Sequence, residues 1–206
     1  MKVILTRHAQ TKENENGLLQ GPTTGDFTAE GEKQLKLLAK RLKPFKFGVV
    51  YSSDLKRCVK TTEYLFPKAP KIKLLPTLRE KNNGEFVGRR ARDIDWDSLP
   101  GTFESRRLPD GESLEDVRRR GCEFLNILKK GKVETVLVVG HGAFLKVFVG
   151  IVLGLDLRRS IFSLQIDHCS LTTVEFNDDG TVKLVSLNDT GYLLHNINKE
   201  SAKWLE

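Results

Sequence analysis

Short apolar runs alternate with stretches of helical period along most of the chain, and this alternation restricts the fold more than any other feature of the sequence. KVILT (2–6), FGVVYSS (47–53), KLLPTLRE (73–80) and ETVLVVGHG (134–142) read as strands, the third weakened by Pro76. Thr28 caps a helix whose Leu35, Leu38 and Leu42 share a face, and Ser53 or Asp54 opens another that runs to about Phe66. Ser113 and Asp116 resemble a capping box ahead of Leu114, Val117, Gly121, Leu125 and Leu128. A fourth helix starts after Gly142 and runs to about Gly154. Strands joined through helices pair in parallel and are covered on both faces. LTTVEF (171–176) and TVKLVSL (181–187) flank NDDG, a hairpin signal. The expected fold is therefore α/β: a mostly parallel central sheet flanked by helices on both faces, with an antiparallel edge hairpin.

At 206 residues the chain fits one domain, 1–206, with no repeat and no linker long enough to divide it. The stretch from about 82 to 111 follows neither period. It holds Gly84, Gly88, Pro100, Gly101 and Pro109 with five arginines (Arg89, Arg90, Arg92, Arg106 and Arg107), and reads as a small insertion over the main domain, partly helical around 90–98. No apolar run reaches the ~20 residues that span a bilayer, and MKVILTRHAQ meets charge too early for a secretory signal. No membrane association and a cytoplasmic location are expected. Cys58, Cys122 and Cys169 lack any paired spacing, so the thiols are expected to be reduced. No His/Cys cluster has a zinc spacing, so neither a metal nor a cofactor is expected.

Ligands of parallel sheets bind outside the carboxyl ends of the strands. The first strand ends at Arg7-His8, and the second in Tyr51-Ser52-Ser53, feeding a helix that carries Arg57 in its first turn. The third ends at Arg79-Glu80 and the fourth at Gly140-His141-Gly142. Each piece alone is an ordinary surface pair, cap or turn. Together, at four successive strand ends, they supply the parts of phosphoryl transfer to a histidine. Arginine forks match the phosphoryl oxygens, a neutral imidazole is the nucleophile, and a carboxyl group shuttles the proton of the leaving oxygen and of water.

The same residues carry a resemblance. RHAQTKENENGLLQG (7–21), SSDLKRCVKTTE (52–63), LREKNNGEFVG (78–88), PDGES (109–113), VVGHGAFLK (138–146) and LNDTGYL (187–193) resemble, in order, the blocks of the histidine phosphatase superfamily, the phosphoglycerate mutase-like fold. The resemblance implies His8 as the nucleophile that forms a phosphohistidine, and Arg7, Arg57 and His141 as holders of the phosphoryl oxygens. It implies Glu80 as proton donor and acceptor, Asn14 and the Gly142 amide as further polar contacts, and Gln20 and Gly21 as a substrate-touching loop. Three positions depart from the family pattern. Ala9 replaces a glycine, which requires an ordinary backbone conformation there; Gly140 replaces a frequent serine; Cys58 replaces a small residue.

Only about thirty residues separate Glu80 from the GES stretch, fewer than cofactor-dependent mutases usually carry there, and a more open site admits water. The expected activity is thus hydrolysis of the phosphomonoester of a small phosphorylated metabolite, with mutase-type transfer as the alternative. The insertion arginines are either solvated charges or contacts to a second anionic group. The formal charge of +7 raises a different class, a nucleic-acid-binding module. No recognition motif or interleaved stacking aromatics support it, so no nucleic-acid partner is expected. A catalytically idle scaffold is disfavoured because every catalytic part is present. Lys33, Lys36, Lys40, Arg41, Arg118, Arg119 and Arg120 read as solvated helix faces, and His168 and His195 are expected to be packing and exposed residues respectively.

Overall fold

The computed structural model describes residues 1–67 and 72–194; His195 lies outside them. One sheet contains β1 (Lys2–Arg7), β2 (Val49–Ser52), β3 (Ile72–Leu74), β4 (Thr135–Gly140), β5 (Leu171–Phe176) and β6 (Val182–Asp189), in the order β3-β2-β4-β1-β5-β6. The helices are α1 (Lys12–Glu15), α2 (Ala29–Leu42), α3 (Lys56–Leu65), α4 (Leu114–Lys130), α5 (Gly142–Leu153), α6 (Leu157–Ser163) and α7 (Gly191–Leu194). β1 to β4 pair in parallel, and β5 runs antiparallel to both β1 and β6. The mostly parallel sheet and its edge hairpin are as the sequence implies. No helix among the described residues is long and apolar enough to cross a membrane.

The unbroken apolar spelling of β4 follows from burial on both faces. Val136 and Val138, with Val3 and Leu5 of β1, pack against Phe124 of α4 and Phe144 and Phe148 of α5. The intervening Leu137 and Val139, with Ile4 and Val50, meet Leu35, Leu38 and Leu42 of α2 and Cys58 of α3. On α4 the core position belongs to Phe124 rather than Leu125, which is half-buried. Gly121 lets α4 approach α5 closely: a Cβ there would lie 2.6 Å from the Ile151 side chain.

Several elements differ from the expected ones, each for a physical reason. The third strand stops at Leu74, because Pro76 cannot donate to a ladder and opens a 3₁₀ turn, Pro76–Leu78. Glu80 therefore follows a turn beside an edge strand, not a strand end. Helix α3 begins at Lys56, since Ser53 and Asp54 are engaged elsewhere and Leu55 takes the cap position with no side-chain bond. Helices α1, α6 and α7 are too short to show a period. Within 82–111 only 3₁₀ turns form, at Gly84–Phe86 and Ala91–Asp93. The two ends of that segment are fastened together. Glu85 N–H donates to the Pro109 carbonyl at 3.1 Å, Glu112 N–H to that of Asn82 at 2.9 Å, and Asn82 N–H to the Glu112 carboxylate at 2.9 Å. Gly84 sits at this closure with φ +51°, where a Cβ would lie 1.8 Å from the Pro109 oxygen.

Candidate active site

β4 lies between β1 and β2, and the parallel register sets Arg7 opposite Gly140 and Ser52 opposite Val139. The residues that leave these three strands thus emerge side by side. His8 N–H donates to the Gly140 carbonyl at 3.0 Å, and Ser53 N–H to that of Val139 at 3.0 Å. The His8 and His141 rings come within 5.2 Å of each other, centroid to centroid. Ala9 has no positive φ, so the alanine costs nothing. Its N–H donates to Thr61 Oγ1 at 3.3 Å, and Thr61 Oγ1 donates to the Arg57 carbonyl at 2.8 Å, which ties the His8 segment to α3.

Hydrogen bonding fixes both tautomers. A carbonyl only accepts, so His8 Nδ1 carries the proton it gives to the Ala9 oxygen at 2.8 Å, and Nε2 is left with its lone pair. Arg57 Nε–H donates to His141 Nδ1 at 3.2 Å, so the His141 proton sits on Nε2, 2.8 Å from Ser53 Oγ. Burial, His141, Arg57, Arg7 and His168 together hold His8 well below the ordinary histidine range. Burial and the flanking arginines do the same to His141, so both rings are neutral.

Arg7, His8, Asn14, Gln20, Arg57 and Glu80 line one cavity of about 230 Å³. Arg57 is buried; its Nη1 donates to the Gly21 carbonyl at 3.0 Å. Arg7 donates from Nη1 to the Ile166 carbonyl at 3.1 Å, and its Nε is buried with no partner. Among the described residues neither arginine forms a salt bridge. Asn14 accepts from Thr11 N–H and Oγ–H through Oδ1, which leaves its amide N–H groups as donors. Gln20 Oε1 is buried without a partner.

The Glu80 carboxylate caps α5. It accepts from Ala143 N–H at 3.2 Å, Phe144 N–H at 3.2 Å and Lys81 N–H at 2.9 Å, so one side chain both caps a helix and lines the cavity. Arg120 holds the segment that carries it. Its guanidinium pairs with Glu112 at 2.9 Å and donates to the carbonyls of Thr77 at 2.7 Å and Arg79 at 3.0 Å.

Three expected residues lie elsewhere than at the cavity wall. His141 is fully buried behind Arg57, with both ring nitrogens engaged. Gly21 meets Arg57 through its carbonyl and lines an adjoining cleft. Gly142 packs on Arg7, where a Cβ would lie 3.3 Å from Cζ. Two residues expected to be inert belong here. Arg120 is not solvated: its guanidinium is paired with Glu112 and lies over the Phe144 ring. His168 stands 5.5 Å from His8, ring to ring, with its Nε2 buried and unpartnered. It forms a bridge beside Arg7 because β5 starts alongside the end of β1. Burial and Arg7 push it down to about 3, against the opposing pull of Asp167.

These neutral histidines make stability fall in mild acid. The unfolded chain takes up their protons near pH 6.5 while the native state does not. The stabilisation is complete above about pH 6.5 and declines below it by about 1.4 kcal/mol per pH unit for each such histidine. Urea unfolding between about pH 7 and pH 5 measures this; His168→Asn should flatten the slope by one histidine's share, and an equal slope in both proteins would contradict the assignment.

The profile of the histidine phosphatase superfamily, branch 1, matches residues 3–190. Phosphoserine phosphatase 1 of Hydrogenobacter thermophilus is 30% identical over 203 residues, covering 94% of this chain and 94% of that protein. The "Probable phosphoglycerate mutase GpmB" of Erwinia tasmaniensis is 30% identical over 183 residues, 85% of each chain. The solved structure of phosphoserine phosphatase from Entamoeba histolytica in complex with 3-phosphoglyceric acid superposes with a TM-score of 0.79 at 26% identity, covering 94% of this chain and 99% of that one.

Proposed function

The chain belongs to the histidine phosphatase superfamily, and on that footing we propose that it hydrolyses the phosphomonoester of a small phosphorylated metabolite through a phosphohistidine on His8. One observation carries this reading. Two largely or fully buried guanidinium groups without a carboxylate partner share a cavity with an imidazole lone pair and a carboxyl group. Buried cations are costly unless an anion meets them, and a phosphoryl group is such an anion.

The steps follow from the groups present. Arg7 and Arg57 bind the phosphoryl oxygens, with the Asn14 amide as a further donor. His8 Nε2 attacks phosphorus in line while the bond to the leaving oxygen breaks and Glu80 gives that oxygen its proton. Water then attacks the phosphohistidine, Glu80 takes its proton, and phosphate leaves with His8 restored. His141 fixes the direction of Arg57 from behind, and Ser53 fixes His141.

Turnover of an aryl phosphate is expected to be unaffected by excess EDTA; loss of activity on chelation would contradict the mechanism. The relative named as a mutase motivates the second reading. It predicts phosphoglycerate isomerisation dependent on a bisphosphate primer, and phosphate release without isomerisation would discard it. Cys58, Cys122 and Cys169 are all free, which fits the reducing cytoplasm in which we place the protein.

A further inference from the structure

Beyond Lys81, Asn83 and Ala143, which line the phosphoryl cavity, the same three residues border a larger cavity of about 600 Å³. That size lies within the range of small-molecule sites. Its walls are aromatic: Trp96 and Phe103 come from the 82–111 segment and Phe162 from α6. The Phe103 and Phe162 rings lie 5.2 Å apart, and Phe162 is 68% exposed, although burying a phenylalanine is favourable.

The cavity is also cationic. Lys81, Arg106 and Arg158 line it with a single carboxylate, that of Asp97. Arg106 is mostly buried, its Nε has no partner, and Asp97, 3.4 Å away, is fully solvated. The Arg158 guanidinium lies 4.9 Å over the Phe103 ring. Neither Lys81 nor Arg158 forms a salt bridge among the described residues. The cleft of about 420 Å³ on the other side of Lys81 differs. Its Arg79 and Arg120 are each bound to a carboxylate, Asp54 at 2.7 Å and Glu112 at 2.9 Å, and Glu80 lies there too, beside Arg57 of the phosphoryl cavity. Both spaces border unpaired cations, but only the first adds aromatic walls, since no residue lining the second is aromatic.

We propose that the aromatic cavity is the leaving-group subsite, and that it selects phosphomonoesters whose leaving group is an aromatic ring carrying a second anionic group. The ring stacks against Phe162 and Phe103, and the second anion meets Arg158 and Arg106 while Lys81 spans the two charges. Of the five arginines in the 82–111 segment, Arg106 is thus the one that contacts substrate. Arg107 is paired with Asp116 at 2.7 Å, Arg89 stacks on Phe86, and Arg90 and Arg92 face a separate groove beside α1. A small aliphatic leaving group leaves this subsite largely unfilled.

The proposal rests on the phosphatase reading, and the test separates the two. The probes are para-carboxyphenyl phosphate and phenylene bisphosphate, with para-carbamoylphenyl phosphate as an uncharged ester of similar electronic character and phosphoserine as the aliphatic reference. The anionic aryl esters should exceed the uncharged one in kcat/KM by about tenfold, the size of one well-placed contact; whichever is greater identifies the second anion as carboxylate or phosphate. Arg158→Gln should bring the anionic and uncharged esters to near parity through KM. Phe162→Ala should raise KM for all aryl esters by a similar factor, and by less for phosphoserine, whose leaving group has no ring to stack. Equal kcat/KM across the aryl series in the native protein, or variants indistinguishable from it, would overturn the subsite while the phosphatase stands. Failure to hydrolyse any of the four esters would remove the phosphatase reading itself.

Discussion

Replacing His8 by alanine is expected to lower kcat by about four to six orders of magnitude, the loss that follows removal of a nucleophile whose partners cannot act without it. The imidazole is the part of the site for which nothing nearby substitutes. Its Nδ1 is committed to the Ala9 carbonyl, and its Nε2 is the free ring nitrogen at the cavity. His141 cannot take over, because both its nitrogens are engaged by Arg57 and Ser53. His168 lies behind His8 rather than in the cavity wall. The variant should still unfold cooperatively, losing about 1–3 kcal/mol because the buried Ala9 carbonyl is left without its donor. Turnover retained within tenfold of native would show that another group attacks phosphorus.

The second large effect is expected at Glu80. Glu80→Gln removes proton transfer from both halves of the reaction, for a loss of about 10²–10⁴ in kcat. The two halves respond differently to the leaving group. A stable phenolate leaves without an acid, so an aryl ester should still phosphorylate His8 quickly. The attack of water still lacks its base. The variant should therefore release one equivalent of phenol in a burst and then turn over slowly, whereas an alkyl ester should give no burst. The fold also registers the change. Glu80 accepts N–H groups from Lys81, Ala143 and Phe144, and a glutamine amide would present a donor to one of them. Destabilisation of about 1–3 kcal/mol is expected, read from the urea midpoint. An unchanged kcat on alkyl esters would remove Glu80 from the mechanism.

The fold was legible where one interaction dominated each residue. VLVV in β4 and the leucines of α2 are buried on account of their own spacing, and the capping box at Ser113 forms as spelled. Arg7, His8 and Arg57 reach one cavity because Arg7 ends β1, His8 follows it and Arg57 lies in the first turn of the helix after β2. What escaped depends on partners distant in sequence. Ser53 looks like a helix cap, yet it serves His141, and Asp54 serves Arg79. Arg120 reads as a surface charge until the 3₁₀ turn at Pro76–Leu78 brings carbonyls to it. His168 becomes part of the site only when β5 is set beside β1, a pairing that the hairpin signal alone does not give. The direction of the insertion arginines depends on how Gly84 closes that segment, which no periodicity encodes.

The central claim is a covalent bond between phosphorus and His8. Rapid acid-free quenching of the protein during turnover of an aryl phosphate, followed by mass analysis of its peptides, tests it directly. The expected result is a phosphoryl group on residue 8 that survives base and is lost in acid, that accumulates in Glu80→Gln and that is absent from His8→Ala. Product formation at the native rate with no phosphorylated peptide, or with the label on any other residue, would contradict the account.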